Sequence, residues 1–222
     1  ARTALAAYFF ITGALLPVWA SRIPAITAQT GVGPDTLGIA LLGLGVAAAV
    51  TARAAGAVLD RFGPRLAVVP AAVAASAALL LPGTATGAAH LTAALVLLGT
   101  AQSFLNVCVN TQAAHLQKSQ GRSMLSTFHA FVSIGGCAGA LTGVASTRLG
   151  LDPLTTFQVG GLALAVLALG AARPLLRRMP PTEPAARPTS GSPAAEGPRF
   201  RPSTSPMVLL LGGLALAGVL AE

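Results

Sequence analysis

Apolar residues run along this chain in long unbroken blocks rather than in alternation. Six blocks reach the roughly 17–25 residues that a bilayer crossing needs: 3–21, 36–57, 66–82, 90–114, 123–147 and 154–172. A seventh opens at Met207 and continues to Glu222. Continuous apolar character without a two-residue period excludes barrel strands, and backbone groups in lipid must be satisfied within helices. The expected fold class is all-α, a polytopic transmembrane helix bundle. Only two charged side chains, Arg53 and Glu222, fall inside the blocks.

Composition sharpens this picture. Of the 222 residues, 54% are hydrophobic and 9% are charged, against about a quarter charged in soluble domains. A soluble globule and a disordered chain are both excluded. The net charge of +8 is carried by too few groups to build a basic face, so no nucleic-acid partner is expected. The expected partners are the lipid bilayer and a small-molecule substrate. Cys108 and Cys137 lie in apolar blocks with no metal-ligand spacing around them, so neither a disulfide framework, a metal nor a cofactor is expected.

The positive charges suggest an orientation. With the N-terminus cytoplasmic, all but Arg22 and Arg148 of the 14 Lys and Arg fall on the inner side, as the positive-inside rule requires. The expected location is the plasma (bacterial cytoplasmic) membrane, with a multi-pass topology. Three regions follow: a six-helix bundle over 1–172, a Pro- and Arg-rich cytoplasmic linker over 173–206, and the start of a seventh helix over 207–222. The linker holds nine of the 16 prolines and cannot bury a core. Such a layout suggests two halves of a larger bundle, of which this chain is the first.

Between the second and third blocks the chain reads Gly56-Ala57-Val58-Leu59-Asp60-Arg61-Phe62-Gly63-Pro64-Arg65. Gly56 removes a side chain where helices approach closely, and Gly63-Pro64 turns the chain. Asp60 lies near a helix C-terminus, where the macrodipole makes a carboxylate unfavourable unless it is paired. Arg61, Arg65 or the N-terminus of another helix are candidate partners. This loop resembles the signature loop of the major facilitator superfamily of secondary transporters: glycine, three residues, aspartate, a basic residue, any residue, glycine, then basic residues. Pro64 stands where a first basic residue is common. The resemblance implies two inverted three-helix repeats per half. It also implies that Gly56, Asp60, Arg61, Gly63 and Arg65 form a conformational latch, Asp60 pairing with a helix of the second half.

A narrower resemblance is carried by Trp19–Ile26, Asn106–Gln112 and Met124–Ala130, which are similar to a bacterial branch related to fucose-permease-type sugar permeases. Members often carry aspartate at the position of Asn106, so a proton-coupling role at that position is in doubt here. The resembling branch also carries an acidic residue at the position of Glu222.

Polarity is unevenly shared among the blocks. The third has Ser76 as its one hydroxyl and is expected to face lipid. In the fourth, Gln102, Asn106 and Asn110 recur every four residues on one helical face beside Ser103, with Gln112 extending the face. Amides in a membrane helix face either a partner helix or a polar path, and the path reading suits sugar-like hydroxyls or water. In the fifth, Gly135, Gly139 and Gly143 form a ridge for close helix packing. The Gly-Pro pair usual in drug–proton antiporters is missing at Gly135-Gly136. His129 is a candidate substrate or proton contact or a neutral interhelical bond, Arg22 an outer gate or a loop charge, and Trp19 an interfacial anchor. Glu222, after a long uncharged run, is the candidate proton carrier. No enzyme activity is expected. The expected function is secondary active transport of a small polar solute by alternating access. The alternatives are multidrug efflux within the same superfamily and a non-transporting half-bundle scaffold.

Overall fold

The computed structural model describes the backbone of residues 2–121 and 125–178, with side chains to 175. The stretch 179–206 and the seventh block with Glu222 lie outside the described residues. The described chain is helical nearly throughout: α1 Arg2–Ala20, α2 Ile23–Thr30, α3 Pro34–Phe62, α4 Pro64–Ala78, α5 Ala88–Gln120, α6 Leu125–Arg148 and α7 Pro153–Arg178. Six helices are long and apolar enough to cross a membrane, each matching one apolar block; α2 is too short.

Local chemistry sets the breaks. The first span ends where Arg22 adopts a non-helical conformation, and Ile23-Pro24 starts α2, which stops at Gly31 with φ of 66°. A proline near its start and a glycine past its end delimit this short helix, which is not one of the long apolar blocks. Between α3 and α4, Gly63 turns the chain at φ of 76° and donates its N–H to the Leu59 carbonyl at 2.8 Å, and Pro64 opens α4. Gly121, at φ of 62°, closes α5. The sixth span runs on to Arg178 through Pro174, past the expected boundary at 172. Basic residues at a helix C-terminus complement the macrodipole, and apolar length alone could not show that extension.

The pairing of helices has an internal symmetry. The most extensive contacts join α1 to α6 and α3 to α5, followed by α4 to α5, α4 to α7 and α1 to α7. Divide the spans into α1-α3-α4 and α5-α6-α7. The first helix of each triplet then packs on the second of the other, and the two third helices meet. Exchanging the triplets maps these main pairs onto one another, as two inverted repeats require.

Leu5, Tyr8, Phe9, Ile11 and Leu15 of α1 and Leu91, Leu95, Leu98 and Leu105 of α5 are buried in the bundle centre. Lipid is as apolar as leucine, so their contribution is close packing rather than release from water. The Tyr8 hydroxyl, buried among them, donates to the Ala168 carbonyl of α7 at 2.8 Å. The third span departs from its expected place. One side of α4, with Ala67, Val68, Ala71, Ala72, Ala75 and Ser76, is buried, and only the side with Leu66 and Pro70 is exposed. Alanine reads as apolar in either setting, so hydropathy cannot separate a small packing face from a lipid face.

Candidate functional site

The polar residues of α5 separate into two sets. Gln102 donates from Nε2 to the Thr12 carbonyl of α1 at 2.8 Å, while Ser103 donates to the Ala48 carbonyl of α3 at 2.7 Å. These bonds fix α5 between α1 and α3. One turn further on, Asn106 is exposed and Asn110 half-buried, and the Asn110 amide donates both to the Asn106 carbonyl (2.8 Å) and to its side-chain Oδ1 (2.9 Å). The pair leaves the Asn106 amide N–H groups and the Asn110 side-chain oxygen available to a ligand. The Gln102 Oε1, buried at the edge of this surface, has no hydrogen-bond partner.

Gln112 does not extend this face. Two positions along a helix is about 200° of rotation, which turns Gln112 into the core, where it is 2% exposed and its Nε2 has no partner. The sequence expectation for Gln112 is corrected on that ground. His129 of α6 is exposed. Its ring meets Phe9 of α1 edge-on at 6.0 Å between centroids, beside the stacked Phe9–Phe128 pair at 5.1 Å. The Ser133 hydroxyl lies 3.5 Å from the His129 backbone carbonyl, so its bond is to the main chain rather than to the imidazole.

Arg22 fits neither of its expected roles. It is 6% exposed, donating from Nη1 to Thr147 Oγ1 at 2.6 Å and from Nη2 to the Leu151 carbonyl. Thr147 in turn donates to the Gly143 carbonyl at 2.9 Å. The guanidinium therefore ties the end of α1 to the end of α6 and the turn into α7, and it leaves the set of path residues. Trp19, expected at the interface, is 4% exposed within the bundle. The break at Ser21-Arg22 places Arg22, while Trp19 continues the buried face of α1 that runs through Tyr8, Ile11 and Leu15.

In the loop between α3 and α4, Asp60 is exposed and makes no hydrogen bond or ion pair among the described residues. Arg61 lies over the Phe62 ring at 5.6 Å. A Cβ added at Gly56 would meet open space, so the close helix approach expected there is not made within this bundle. The ridge on α6 is different. A Cβ at Gly135 would strike the Phe10 carbonyl, one at Gly139 would lie 2.5 Å from the Ala14 carbonyl, and one at Gly143 would strike the Ser21 hydroxyl. From the other side, a Cβ at Gly13 would strike the Val132 carbonyl. The backbones of α1 and α6 thus touch at Gly135 and Gly139, and Gly143 receives the Ser21 side chain just past the end of α1. Among the described residues no cluster of side chains is suited to a metal ion.

Comparison with known proteins bears on the whole chain. It is 32% identical over 169 residues to an uncharacterized MFS-type transporter of Yersinia pestis, covering 76% of this chain and 44% of that protein. It is 34% identical over 147 residues to an uncharacterized transporter of Sinorhizobium fredii (64% of this chain, 38% of that one). Membrane protein MosC of Rhizobium meliloti is 30% identical over 140 residues, covering 63% and 34%. The chain spans less than half the length of these relatives. The family model of the Major Facilitator Superfamily matches residues 3–221, and with six spans in an inverted-repeat pairing the conclusion is plain: the chain belongs to the major facilitator superfamily.

Proposed function

We propose that this chain is the first half of a secondary transporter that moves a small polar, sugar-like solute across the cytoplasmic membrane by alternating access. The observation that carries this reading is the Asn106–Asn110 pair, accessible in the middle of an apolar span. Membrane-embedded amides that do not bridge helices are stable only against water or a polar ligand. Gln102 and His129 border the same reading of a path, and the neutral amides suit hydroxyl groups, which both donate and accept. This is the chemistry that the likeness to fucose-permease-type proteins implies. Asp60, without a partner among the described residues, is proposed to latch onto the second half together with Gly56, Arg61, Gly63 and Arg65. Glu222, a carboxylate after an uncharged run, is proposed as the proton carrier.

One vesicle experiment tests these assignments. The full-length transporter is reconstituted and screened against sugars and polyols for uptake and binding. Asn110→Ala should weaken binding about tenfold, the factor for roughly 1.4 kcal/mol of lost hydrogen bonding. In the same vesicles Asp60→Asn should slow transport with binding retained, and Glu222→Gln should abolish proton-driven accumulation while exchange persists. Unchanged binding by Asn110→Ala would remove α5 from the path.

A further inference from the structure

Arg22 is 6% exposed, and neither of its side-chain hydrogen bonds goes to an acid. Two guanidinium nitrogens donate to Thr147 Oγ1 and the Leu151 carbonyl, while the Nε N–H is buried without a partner among the described residues. Three positions back on α1, Trp19 is 4% exposed, and its Nε1 N–H is unpartnered in the same way. The two residues share one turn, since the Arg22 backbone N–H donates to the Trp19 carbonyl at 3.0 Å. The end of α1 therefore buries two side-chain donors without acceptors and a cation without an anion. Each orphaned donor is destabilising, and a buried charge needs a partner.

Protein groups do not supply the missing charge. Three carboxylates stand among the described residues, Asp35, Asp60 and Asp152. Asp60 lies at the opposite end of the spans, and Asp35 is exposed at the start of α3. Asp152 follows Leu151, yet its carboxylate accepts from the Thr155 N–H at 3.3 Å and makes no ion pair with Arg22. The C-terminal end of α1 contributes about half an elementary negative charge, which leaves roughly half of the guanidinium charge uncompensated. A water molecule could accept from the N–H groups but would leave that charge in place. An anion answers both. The surroundings are apolar or already bonded: Gly160 approaches Val18, and the Ser21 and Thr147 hydroxyls donate to main-chain carbonyls. Such a setting strips an ion of its water, which excludes strongly hydrated anions such as sulfate and phosphate and favours a small monovalent one.

We infer that Trp19 and Arg22 form a binding site for a small monovalent anion of the chloride class, to which Trp19 Nε1–H and Arg22 Nε–H both donate. Both atoms are covered by the chain, so the anion reaches them as the turn between α6 and α7 moves aside from Arg22. The site is separate from the Asn106–Asn110 surface and stands whether or not the protein carries a sugar-like solute. Its occupant stabilises the join of α1 with α6 and the turn into α7, where Thr147 and Leu151 are bonded to the same guanidinium.

The test follows thermal unfolding of the full-length protein in detergent as sodium gluconate is replaced by sodium chloride at constant ionic strength. Chloride should raise the midpoint by roughly 2 °C and saturate, as a ligand at several times its dissociation constant does. Bromide should act as chloride does, and sulfate should not. Trp19→Phe keeps an aromatic ring and removes the donor, and Arg22→Gln removes the charge. Each should lose the halide-dependent rise, read against its own midpoint in gluconate. Equal midpoints of the unmutated protein in chloride and gluconate would show that water meets the two donors and overturn the site. A rise retained in full by either variant would place the halide elsewhere and overturn it equally. A second measurement needs no variant: crystals grown in bromide should show anomalous density between Trp19 Nε1 and Arg22 Nε, and a blank map there would refute the site.

Discussion

Arg22 shows how a residue's place in a break decides its role. A guanidinium between two helices on an outer loop reads from sequence as a charge facing water. The chain instead stops being helical at Arg22 and turns its side chain inward, where two nitrogens find neutral oxygens at Thr147 and Leu151. Hydrogen bonds that involve a charged group contribute about 1.5–3 kcal/mol. Arg22→Ala should therefore lower the thermal unfolding midpoint of the purified protein, and Arg22→Lys should not restore it, because an ammonium cannot present two forked donors. An unchanged midpoint in Arg22→Ala would return the residue to the outer gate. Of the polar residues singled out from sequence, Asn106 and Asn110 were legible because their spacing fixes both on one face wherever the helix is. Gln112 was not placed correctly, since two steps of rotation carry it to the opposite side. Trp19 sits four residues beyond Leu15 on the buried face of α1, and an aromatic near the end of an apolar block does not by itself say that this face meets protein rather than the interface.

At the scale of elements, hydropathy located each of the six described spans, while the contact between α1 and α6 came from glycine. Blocks of apolar residues say that a helix crosses; they do not say which side meets lipid, as α4 shows. Gly135, Gly139 and Gly143 did carry that information, because an i, i+4 ridge without side chains has no purpose on a lipid face. The structure gives the ridge a partner, α1, at backbone contact. The same steric logic predicts opposite signs for one substitution. Gly139→Ala puts a methyl 2.5 Å from the Ala14 carbonyl, so α1 must shift, and overpacking of this kind costs about 1–3 kcal/mol. Gly170→Ala meets nothing within 4 Å, and in a helix interior the exchange is favourable by about 0.5–1 kcal/mol. Thermal unfolding should show a loss for the first and no loss for the second. Equal effects would mean that α1 and α6 are not in backbone contact.

For the whole molecule, the inverted-repeat pairing and the charge distribution make separate demands on orientation. The pairing of α1 with α6 and of α3 with α5 is the same whichever side the N-terminus occupies, so the fold does not choose. The choice rests on charge, since Arg22 and Arg148 stand alone at one end of the spans while the other Lys and Arg gather at the opposite end or in the segment after α7. Arg22 is moreover buried and neutral-bonded, which leaves Arg148 as the one exposed Arg or Lys on that side among the described residues. The expected outcome is an outer turn between α4 and α5 and a cytoplasmic segment after α7. Thr86 is exposed in that turn, and Ser192 belongs to the Pro- and Arg-rich segment. With Cys108 and Cys137 replaced, single cysteines at Thr86 and Ser192 should respond oppositely to an impermeant thiol reagent added to intact cells. Thr86→Cys should be labelled, and Ser192→Cys only after the membrane is opened. Labelling of Ser192→Cys alone in intact cells would invert the topology, placing Asp60 and its loop outside and ending its candidacy as a cytoplasmic latch.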